Sequence, residues 1–492
     1  MKMQLLGLLF ALLLPTSSII AQSSDYTDLN QYPRTELLYM EAATEDERAA
    51  IGALGIEIIS WVRNNLYIIA SPTERDLLRE RGYKFTEVMS NNDELVLYKR
   101  AMYGESMKLT EKYHTYEEIL AVVDGLMTRF PNRITKEVIG QSQQGRRDIY
   151  AFKVSNDVQR SHDRPVFLFT GAIHSRELAT AEINVELIKQ LVNGYDTDAR
   201  IKGWLDNYEI YFIPVINLDG HFIVTHNVDP RWRKNARNAT DDWKTVKYPL
   251  GIDLNRNYDF NFGIGGSDDP MSVRYRGEAP FSESEVVAVA NLVERIRPVF
   301  SINYHSQGEV IFYPWDWRGL KAPDDRLLTE LARGIADQIL KMDGSGPYDI
   351  AYGAALVGQS YPWLYGRYGT FDFIVETGRG AHVFPENEIR NVVDANIPGA
   401  FWLLDRGKGP GLSVKVTDSS GNPVAAQVWI PQIETEDLDR RTTKPSNGRY
   451  YRPLKPGKYN VVISAPGYQT QTIRQFEVKE GGWTELQIVI SN

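Results

Sequence analysis

The chain has 492 residues, of which 42% are hydrophobic and 24% are charged. This balance excludes a disordered chain, and the length predicts about two to four globular domains with a sizeable buried core. The net charge of −9 argues against a nucleic-acid partner, because a phosphate-binding surface needs Lys and Arg in clustered excess.

The first residues have the organisation of an export signal. A charged start at Lys2, an apolar run over residues 5–14 and a cleavage position after Ala21 predict a signal peptide at residues 1–21. We therefore expect a secreted or periplasmic protein. No later run reaches the roughly 18 apolar residues of a transmembrane helix, so we expect no membrane span. The sequence contains no cysteine, which excludes disulfides and lipid attachment at the cleavage site.

The pattern of residues 35–98 predicts a small α/β domain. Strand-like and helix-like segments follow in the order βαββαβ, which is typical of a ferredoxin-like sandwich. The strand-like segments are residues 35–42, 56–69 (two strands around Arg63), 83–88 and 94–98, and the helix-like segments are residues 45–54 and 73–81. A linker containing Lys99 and Arg100 follows.

The middle of the chain alternates strand-like and helix-like segments. Residues 164–172 and 208–215 are strand-like, and residues 179–193 between them are helix-like. This alternation predicts an α/β fold with a mainly parallel sheet. Ligands of such sheets gather beyond the carboxyl ends of the strands.

A candidate metal site lies at those strand ends. His174 and Glu177 are three residues apart at a predicted strand-to-helix turn, and a catalytic zinc takes three protein ligands with one open position. A His-x-x-Glu pair alone is a weak signal, because it arises often by chance. Among the seven histidines, His305 is the best third ligand, since it also follows a strand-like run. Asn217 falls at a further strand end. Two imidazoles and one carboxylate suit zinc well.

Further motifs follow in chain order. They are Trp232–Arg237, Asp253–Asn257, His305–Ser306 and Phe373–Glu376. Three other stretches belong to the same pattern, namely Tyr113–Ile119, Ile139–Ser142 and Tyr275–Glu283. With these motifs, residues 113–405 resemble the zinc carboxypeptidase family typified by pancreatic carboxypeptidases A and B, which implies a mixed, mainly parallel sheet flanked by helices. Two stretches, Tyr113–Ile119 and Ile139–Ser142, resemble the opening of the family's domain, and Tyr275–Glu283 resembles its mid-domain loop. The resemblance implies a hydrolase that contains one Zn²⁺ per chain, bound by His174, Glu177 and His305, and that acts on peptide or protein C-termini.

The resemblance also implies catalytic and substrate-binding roles. Glu376 would be the general base that takes a proton from the attacking water and passes it to the leaving amine. Arg233 would stabilise the oxyanion. Asn255 and Arg256 would bind the terminal carboxylate of the substrate, because a guanidinium fork suits a planar anion.

Further substrate contacts are implied at Arg176 and Ser306. Asp316 stands where the regulatory subgroup of the family has an acidic residue, and a carboxylate there favours terminal Arg or Lys. Tyr361 stands where the pancreatic enzyme that acts on basic ends has its aspartate. An acidic group is therefore present at one of two possible pocket positions, and we expect basic specificity.

One position departs from the family pattern. The place of the family's mobile tyrosine is occupied by Ala354, counting back from Trp363. Tyr352 matches that tyrosine only if two residues are inserted locally, and it is assigned to substrate binding on that basis. The family's tyrosine binds substrate and is not the base, so its displacement would weaken binding without preventing catalysis.

The end of the chain changes period after a Gly-rich linker. Residues 411–492 show short alternating strands separated by turn signals such as Pro456-Gly457, which predicts a β-sandwich. This segment resembles the transthyretin-like domain of regulatory carboxypeptidases. Residues 35–98 precede the peptidase-like domain as a propeptide would, with Lys99-Arg100 as a possible cleavage site, although a permanent accessory domain has the same pattern.

Three other functions fit parts of this pattern. A cell-wall peptide carboxypeptidase of the same fold would also tolerate a carboxylate in its pocket, since diaminopimelate is zwitterionic. A deacylase shares the His-x-x-Glu and Asn-Arg elements, but the opening at Tyr113 speaks against it. An exported binding protein on an inactive scaffold would usually lack a metal ligand or the general base. This chain has all four of these residues, His174, Glu177, His305 and Glu376. The sequence does not predict the oligomeric state.

Overall fold

The computed structural model describes most of the chain in two compact units. The described residues are 36–41, 43–44, 46–47, 50–51, 54, 56–62, 65–70, 72–89, 113–161, 163–237, 250–263, 265–270, 272–315, 321–352, 358–436 and 438–491. The first unit comprises Met1–Lys108 and Asp269–Val273, and the second comprises Leu109–Asp268 and Arg274–Asn492. The predicted signal peptide, the Lys99-Arg100 site and Asp316 lie outside the described residues.

The first unit contains a four-stranded antiparallel sheet of order β2-β3-β1-β4. Its elements are β1 (Glu36–Met40), β2 (Glu57–Val62), β3 (Asn65–Ala70), α1 (Pro72–Glu80) and β4 (Thr86–Met89). Helical residues are also present between β1 and β2, at positions 46–47 and 50–51. This is the ferredoxin-like order expected from the βαββαβ pattern, with Leu38, Ile68 and Leu78 among its fully buried core residues.

The second unit is built on an eight-stranded sheet of order β11-β10-β12-β9-β7-β8-β6-β5. The strands are β5 (Ile134–Gln141), β6 (Asp148–Val154), β7 (Val166–Thr170), β8 (Glu209–Ile213), β9 (Phe300–His305), β10 (Val310–Tyr313), β11 (Asp349–Tyr352) and β12 (Phe371–Glu376). The central strands β12, β9, β7 and β8 run parallel. Three pairs are antiparallel: β10 with β12, β6 with β8, and β5 with β6. The predicted mixed, mainly parallel sheet is confirmed.

Helices cover both faces of this sheet. They are α2 (Tyr116–Arg129), α3 (Ala179–Gly194), α4 (Ala199–Asn207), α5 (Leu218–Thr225), α6 (Ser284–Ile296), α7 (Asp325–Ala336), α8 (Ser360–Trp363) and α9 (Glu386–Arg406), with a 3₁₀ turn at Leu254–Arg256 and a π-helical turn at Leu364–Tyr368. Alternate residues of β7 enter two different buried clusters, Phe167 and Phe169 on one face and Val166 and Leu168 on the other. Burial on both faces explains why the central strands are continuously apolar.

The end of the chain forms two packed sheets in the same unit. The strands are β13 (Gly411–Asp418), β14 (Gln427–Trp429), β15 (Arg441–Thr442), β16 (Arg449–Pro453), β17 (Gly457–Ser464), β18 (Gln471–Val478) and β19 (Trp483–Ile490), in the orders β16-β13-β19 and β15-β14-β17-β18. Their inner faces share a core that includes Val414, Val428 and Ile463. The predicted β-sandwich is confirmed. Within the described parts of the chain, no helix is long and apolar enough to cross a membrane.

Two helical glycines predict opposite effects for the same substitution. A Cβ atom on Gly334 of α7 would overlap the indole ring of Trp402, whereas one on Gly125 of α2 would meet no atom within 4 Å. We expect Gly125→Ala to stabilise the unit by about 1 kcal/mol through helix propensity. Gly334→Ala should destabilise it by about 1–3 kcal/mol, because the rigid ring must move. Urea unfolding of both variants measures this difference, and equal stabilisation by both would contradict the described packing of α7 on α9.

Candidate active site

Two candidate metal ligands lie in the turn between β7 and α3. The turn that bears His174 and Glu177 is fixed by its own hydrogen bonds, because the Thr180 hydroxyl accepts from the Ala172 N–H at 2.8 Å and donates to the Glu177 carbonyl at 2.6 Å. The third candidate, His305, is the last residue of β9, which lies parallel to β7. The carboxyl ends of these two neighbouring strands therefore bring together residues that are distant in sequence.

The three side chains face one another in a buried space. Nδ1 of His174 lies 2.8 Å from Oε1 of Glu177, and Nδ1 of His305 lies 3.0 Å from Oε2 of the same carboxylate. The two Nδ1 atoms are 3.2 Å apart. All three residues are buried. Two ring nitrogens and a carboxylate oxygen that converge in this way are the donor set, and have about the spacing, that a tetrahedral zinc with bonds of about 2.0–2.2 Å requires.

The other ring nitrogens of the two histidines have partners of their own. Nε2 of His174 is 3.2 Å from Oδ1 of Asp253, and Nε2 of His305 is 3.4 Å from the side-chain amide of Asn255. A proton on Nε2 of His174, donated to Asp253, leaves the Nδ1 lone pair for a metal ion. These outer contacts orient the rings, so the residues present fit a zinc ion.

Asp253 also holds Arg233 at the edge of the site. Its Oδ2 accepts from Nη2 of Arg233 at 2.9 Å and from Nε at 3.2 Å. Burial works to raise the pKa of Asp253, but the charges of Arg233 and Arg256 hold that pKa well below its usual range. Nη1 of Arg233 is 3.9 Å from Oε1 of Glu177. The sequence motif contained Asp253, but sequence reasoning gave it no role, and its position two residues before Asn255 was the available signal.

Asn255 and Arg256 lie in the 3₁₀ turn that follows Asp253. The Asn255 side-chain oxygen accepts from the Ser360 N–H at 3.0 Å, and Nη1 of Arg256 donates to the Asn255 carbonyl at 2.7 Å. Nε of Arg256 is buried and has no hydrogen-bond partner among the residues that the structure describes, and burial lowers the pKa of this guanidinium. A buried guanidinium with an unpaired donor fits an anionic ligand.

Glu376 ends β12 directly beside the metal-ligand cluster. It is paired in register with His305 across the parallel strands β12 and β9. Burial, with the nearby charge of Glu177, raises the pKa of Glu376 to about 7, against the opposing charges of His305 and Arg233. A carboxyl group that titrates near neutral pH is suited to proton transfer.

The remaining predicted site residues are placed with different completeness. The Ser306 N–H donates to Oε2 of Glu177 at 3.3 Å, so Ser306 joins the cluster. Arg176 is half-buried, and its Nη1 donates to the Arg231 carbonyl at 3.5 Å. Its Nε has no hydrogen-bond partner among the described residues. Tyr352 ends β11, but its side chain and the segment that follows lie outside the described part, as does Asp316. The roles of these two residues stay predictions.

One neighbour of the site had no sequence signal. Nδ1 of His382 is 2.7 Å from the Ser306 carbonyl, and the Ser306 hydroxyl donates to the His382 carbonyl at 3.2 Å. Burial, with the charge of Arg176, lowers the pKa of His382 to about 3, so this imidazole is neutral at physiological pH. His382 belongs to no motif, and only folding brings it to Ser306.

Comparison with protein families identifies both parts of the second unit. A family model described as zinc carboxypeptidase matches residues 119–399, and a model described as carboxypeptidase regulatory-like domain matches residues 411–491. Carboxypeptidase A1 from Mus musculus is 32% identical over 305 residues, which cover 60% of this chain and 70% of that protein. A zinc carboxypeptidase from Saccharothrix mutabilis subsp. capreolus is 25% identical over 355 residues, covering 67% of this chain and 78% of that protein.

Solved structures support the fold. Carboxypeptidase A from Helicoverpa armigera matches with a TM-score of 0.56 at 21% identity, covering 76% of this chain and 98% of that chain. Thrombin activatable fibrinolysis inhibitor matches with the same score and identity, covering 76% of this chain and 99% of that chain. The family model spans more than half of the sequence. The chain therefore belongs to the zinc carboxypeptidase family, a family of zinc-dependent hydrolases, as its motifs predicted.

Proposed function

We propose that this enzyme is exported and removes single residues, preferentially Lys or Arg, from the C-termini of peptides or proteins. The observation that carries the proposal is the convergence of His174, Glu177 and His305 beside Glu376, with the unpaired guanidinium nitrogen of Arg256 in the same region. These groups supply, in one buried place, what hydrolysis of a terminal peptide bond requires.

His174, Glu177 and His305 would hold the zinc ion, which would supply Lewis acidity and would lower the pKa of the attacking water to about 7. Glu376 accepts the proton of the attacking water and delivers it to the leaving amine. Its pKa of about 7 allows both transfers near neutral pH. Arg233, fixed by its two hydrogen bonds to Asp253, donates to the oxyanion that develops on the carbonyl.

The terminal carboxylate of the substrate binds Asn255 and Arg256. Within the described part of the chain, the buried Nε of Arg256 has no hydrogen-bond partner, and an ionised carboxylate would satisfy it. An internal peptide bond offers no such anion, so this contact restricts cleavage to the chain end. Arg176 contacts residues further upstream in the substrate, and Ser306 is a further substrate-binding residue.

The preference for basic residues rests on Asp316. This residue directly follows Trp315, which is 4% exposed, and its carboxylate would attract a cationic side chain within the pocket. Tyr352 is assigned to substrate binding from its place in the sequence. A cell-wall peptide carboxypeptidase is the alternative, because diaminopimelate also carries an amino group.

The outer parts of the chain are assigned from the sequence. Residues 1–21 act as the signal peptide, residues 113–405 form the catalytic domain, and residues 411–492 form the transthyretin-like domain. Residues 35–98 form a propeptide-like domain, which is either released at Lys99-Arg100 or kept as a permanent accessory domain. A purified enzyme that retains this domain and has full activity would rule out an inhibitory role and support a permanent accessory domain.

Replacement of Glu376 tests the proton-transfer role. We expect Glu376→Gln to lower kcat by about 10²–10⁴-fold, because the amide cannot accept the proton. Zinc content and thermal stability should be unchanged. The matched control is Glu436→Gln, whose carboxylate is 90% exposed in the sandwich and which should retain full activity. Steady-state kinetics with a peptide substrate measures the effect, and a kcat within a few-fold of the native value would refute the assignment.

Replacement of Asp316 tests the specificity. We expect Asp316→Gly to lower the ratio of kcat/KM for Arg-ended over Phe-ended peptides by about 10–100-fold, because a charged hydrogen-bond partner is lost. An unchanged ratio would show that Asp316 does not contact the substrate side chain. Digestion of muropeptides in parallel distinguishes the alternative, since release of residues from these alone would favour cell-wall peptides as the substrate.

A further inference from the structure

The β-sandwich inserts a buried charge into the catalytic domain. Arg452 of β16 is fully buried, and its Nη2 donates to Asp324 at 3.1 Å (Oδ1) and 2.8 Å (Oδ2). Its Nε also donates to Glu434 of the sandwich at 3.3 Å. Asp324 directly precedes α7 in the catalytic domain and is 6% exposed. The cost of removing both charges from water offsets much of their attraction, so this ion pair adds little to the stability of the contact between the two domains.

Asp324 passes this contact to Tyr365. The Tyr365 hydroxyl donates to Oδ2 of Asp324 at 2.7 Å, and Nη2 of Arg441, on β15 of the sandwich, donates to the Tyr365 carbonyl at 2.9 Å. Tyr365 lies in the π-helical turn that precedes β12 and is fully buried. The sandwich therefore fixes Tyr365 at its main chain directly and at its hydroxyl through Asp324.

Tyr365 in turn packs against Trp315, which directly precedes the proposed specificity residue in the sequence. Its ring meets the Trp315 ring edge-on, with centroids 5.4 Å apart and an interplanar angle of 83°. Trp315 also stacks on Phe260, with centroids 5.3 Å apart. Trp315 directly precedes Asp316, and Phe260 follows Arg256 by four residues. The two indole contacts thus connect the sandwich to Trp315 and Phe260, which lie close in the sequence to the proposed substrate-binding residues Asp316 and Arg256.

We propose that Arg452 is a positioning residue for substrate specificity: through Asp324 and Tyr365, the C-terminal sandwich fixes Trp315 and with it the pocket for the terminal side chain. This inference rests on the proposed function. The sandwich is then part of the specificity apparatus of the enzyme and not an independent appendage.

A second ion pair joins the same two domains without reaching the site. Arg449, also on β16, donates from Nε and Nη2 to the Asp163 carboxylate at 2.9–3.0 Å. Asp163 precedes β7, at the end of the sheet opposite the carboxyl ends that hold His174 and His305. Arg449 therefore provides a matched control that weakens the domain contact and leaves the Tyr365 connection intact.

The test compares Arg452→Met and Arg449→Met in the full chain. Kinetics with two peptides that end in Arg and in Phe give kcat and KM, and zinc content and Tm are measured alongside. We expect both variants to keep zinc and to have a lower Tm. Only Arg452→Met should change the Arg/Phe ratio of kcat/KM, by about tenfold or more, because displacement of a substrate-holding group by about 1 Å costs up to 10²-fold.

Tyr365→Phe removes only the hydroxyl that binds Asp324 and keeps the ring against Trp315. It decides the question if Arg452→Met does not fold, and it should change the ratio in the same direction by a smaller factor. An unchanged ratio in the folded, active variant, or an equal change in Arg449→Met, would overturn the inference and leave the proposed function intact. A native enzyme that cleaves neither peptide would overturn both.

Discussion

One carboxylate holds two parts of the active site at once. Asp253 binds the outer ring nitrogen of His174 with one oxygen and the guanidinium of Arg233 with the other. The contact with His174 depends on the contact with Arg233. Without the arginine charge, burial would raise the pKa of the Asp253 carboxyl group, and a protonated Asp253 would bind the imidazole less strongly. The orientation of a candidate zinc ligand and the position of the proposed oxyanion donor are therefore set by the same buried group.

The sheet brings the remaining groups to this carboxylate. β7, β9 and β12 are parallel neighbours, so the residues at or just after their carboxyl ends, His174, His305 and Glu376, lie side by side. The carboxylates of Glu177 and Glu376 and the imidazoles of His174 and His305 are thereby brought close together. Burial, with the charge of Glu177, raises the pKa of Glu376 to about 7 against the opposing charges of His305 and Arg233. This value places the proposed base in the range that proton transfer needs.

The features that could be predicted from the sequence are those that depend on residue spacing and on the periodicity of apolar residues. Apolar strands followed by His174 and His305 predicted the site, because the carboxyl ends of parallel strands meet at one edge. The contacts of Asp253, His382 and Arg452 could not be predicted in this way, since they join segments whose relative placement only packing decides. The antiparallel additions to the sheet were also invisible to a pattern of alternating strands and helices, because β5 and β6 form a hairpin with no helix between them.

The central claim is that a zinc site at His174, Glu177 and His305 acts on the free carboxylate end of a peptide. Mass spectrometry of paired peptides, identical except for a free or an amidated C-terminus, tests it most directly when run with enzyme that is native, chelator-treated and zinc-restored. We expect the native enzyme to remove one residue from the peptide with the free C-terminus only. The chelator should abolish this cleavage, and added zinc should restore it. Equal cleavage of the amidated peptide, or activity indifferent to the chelator, would contradict it.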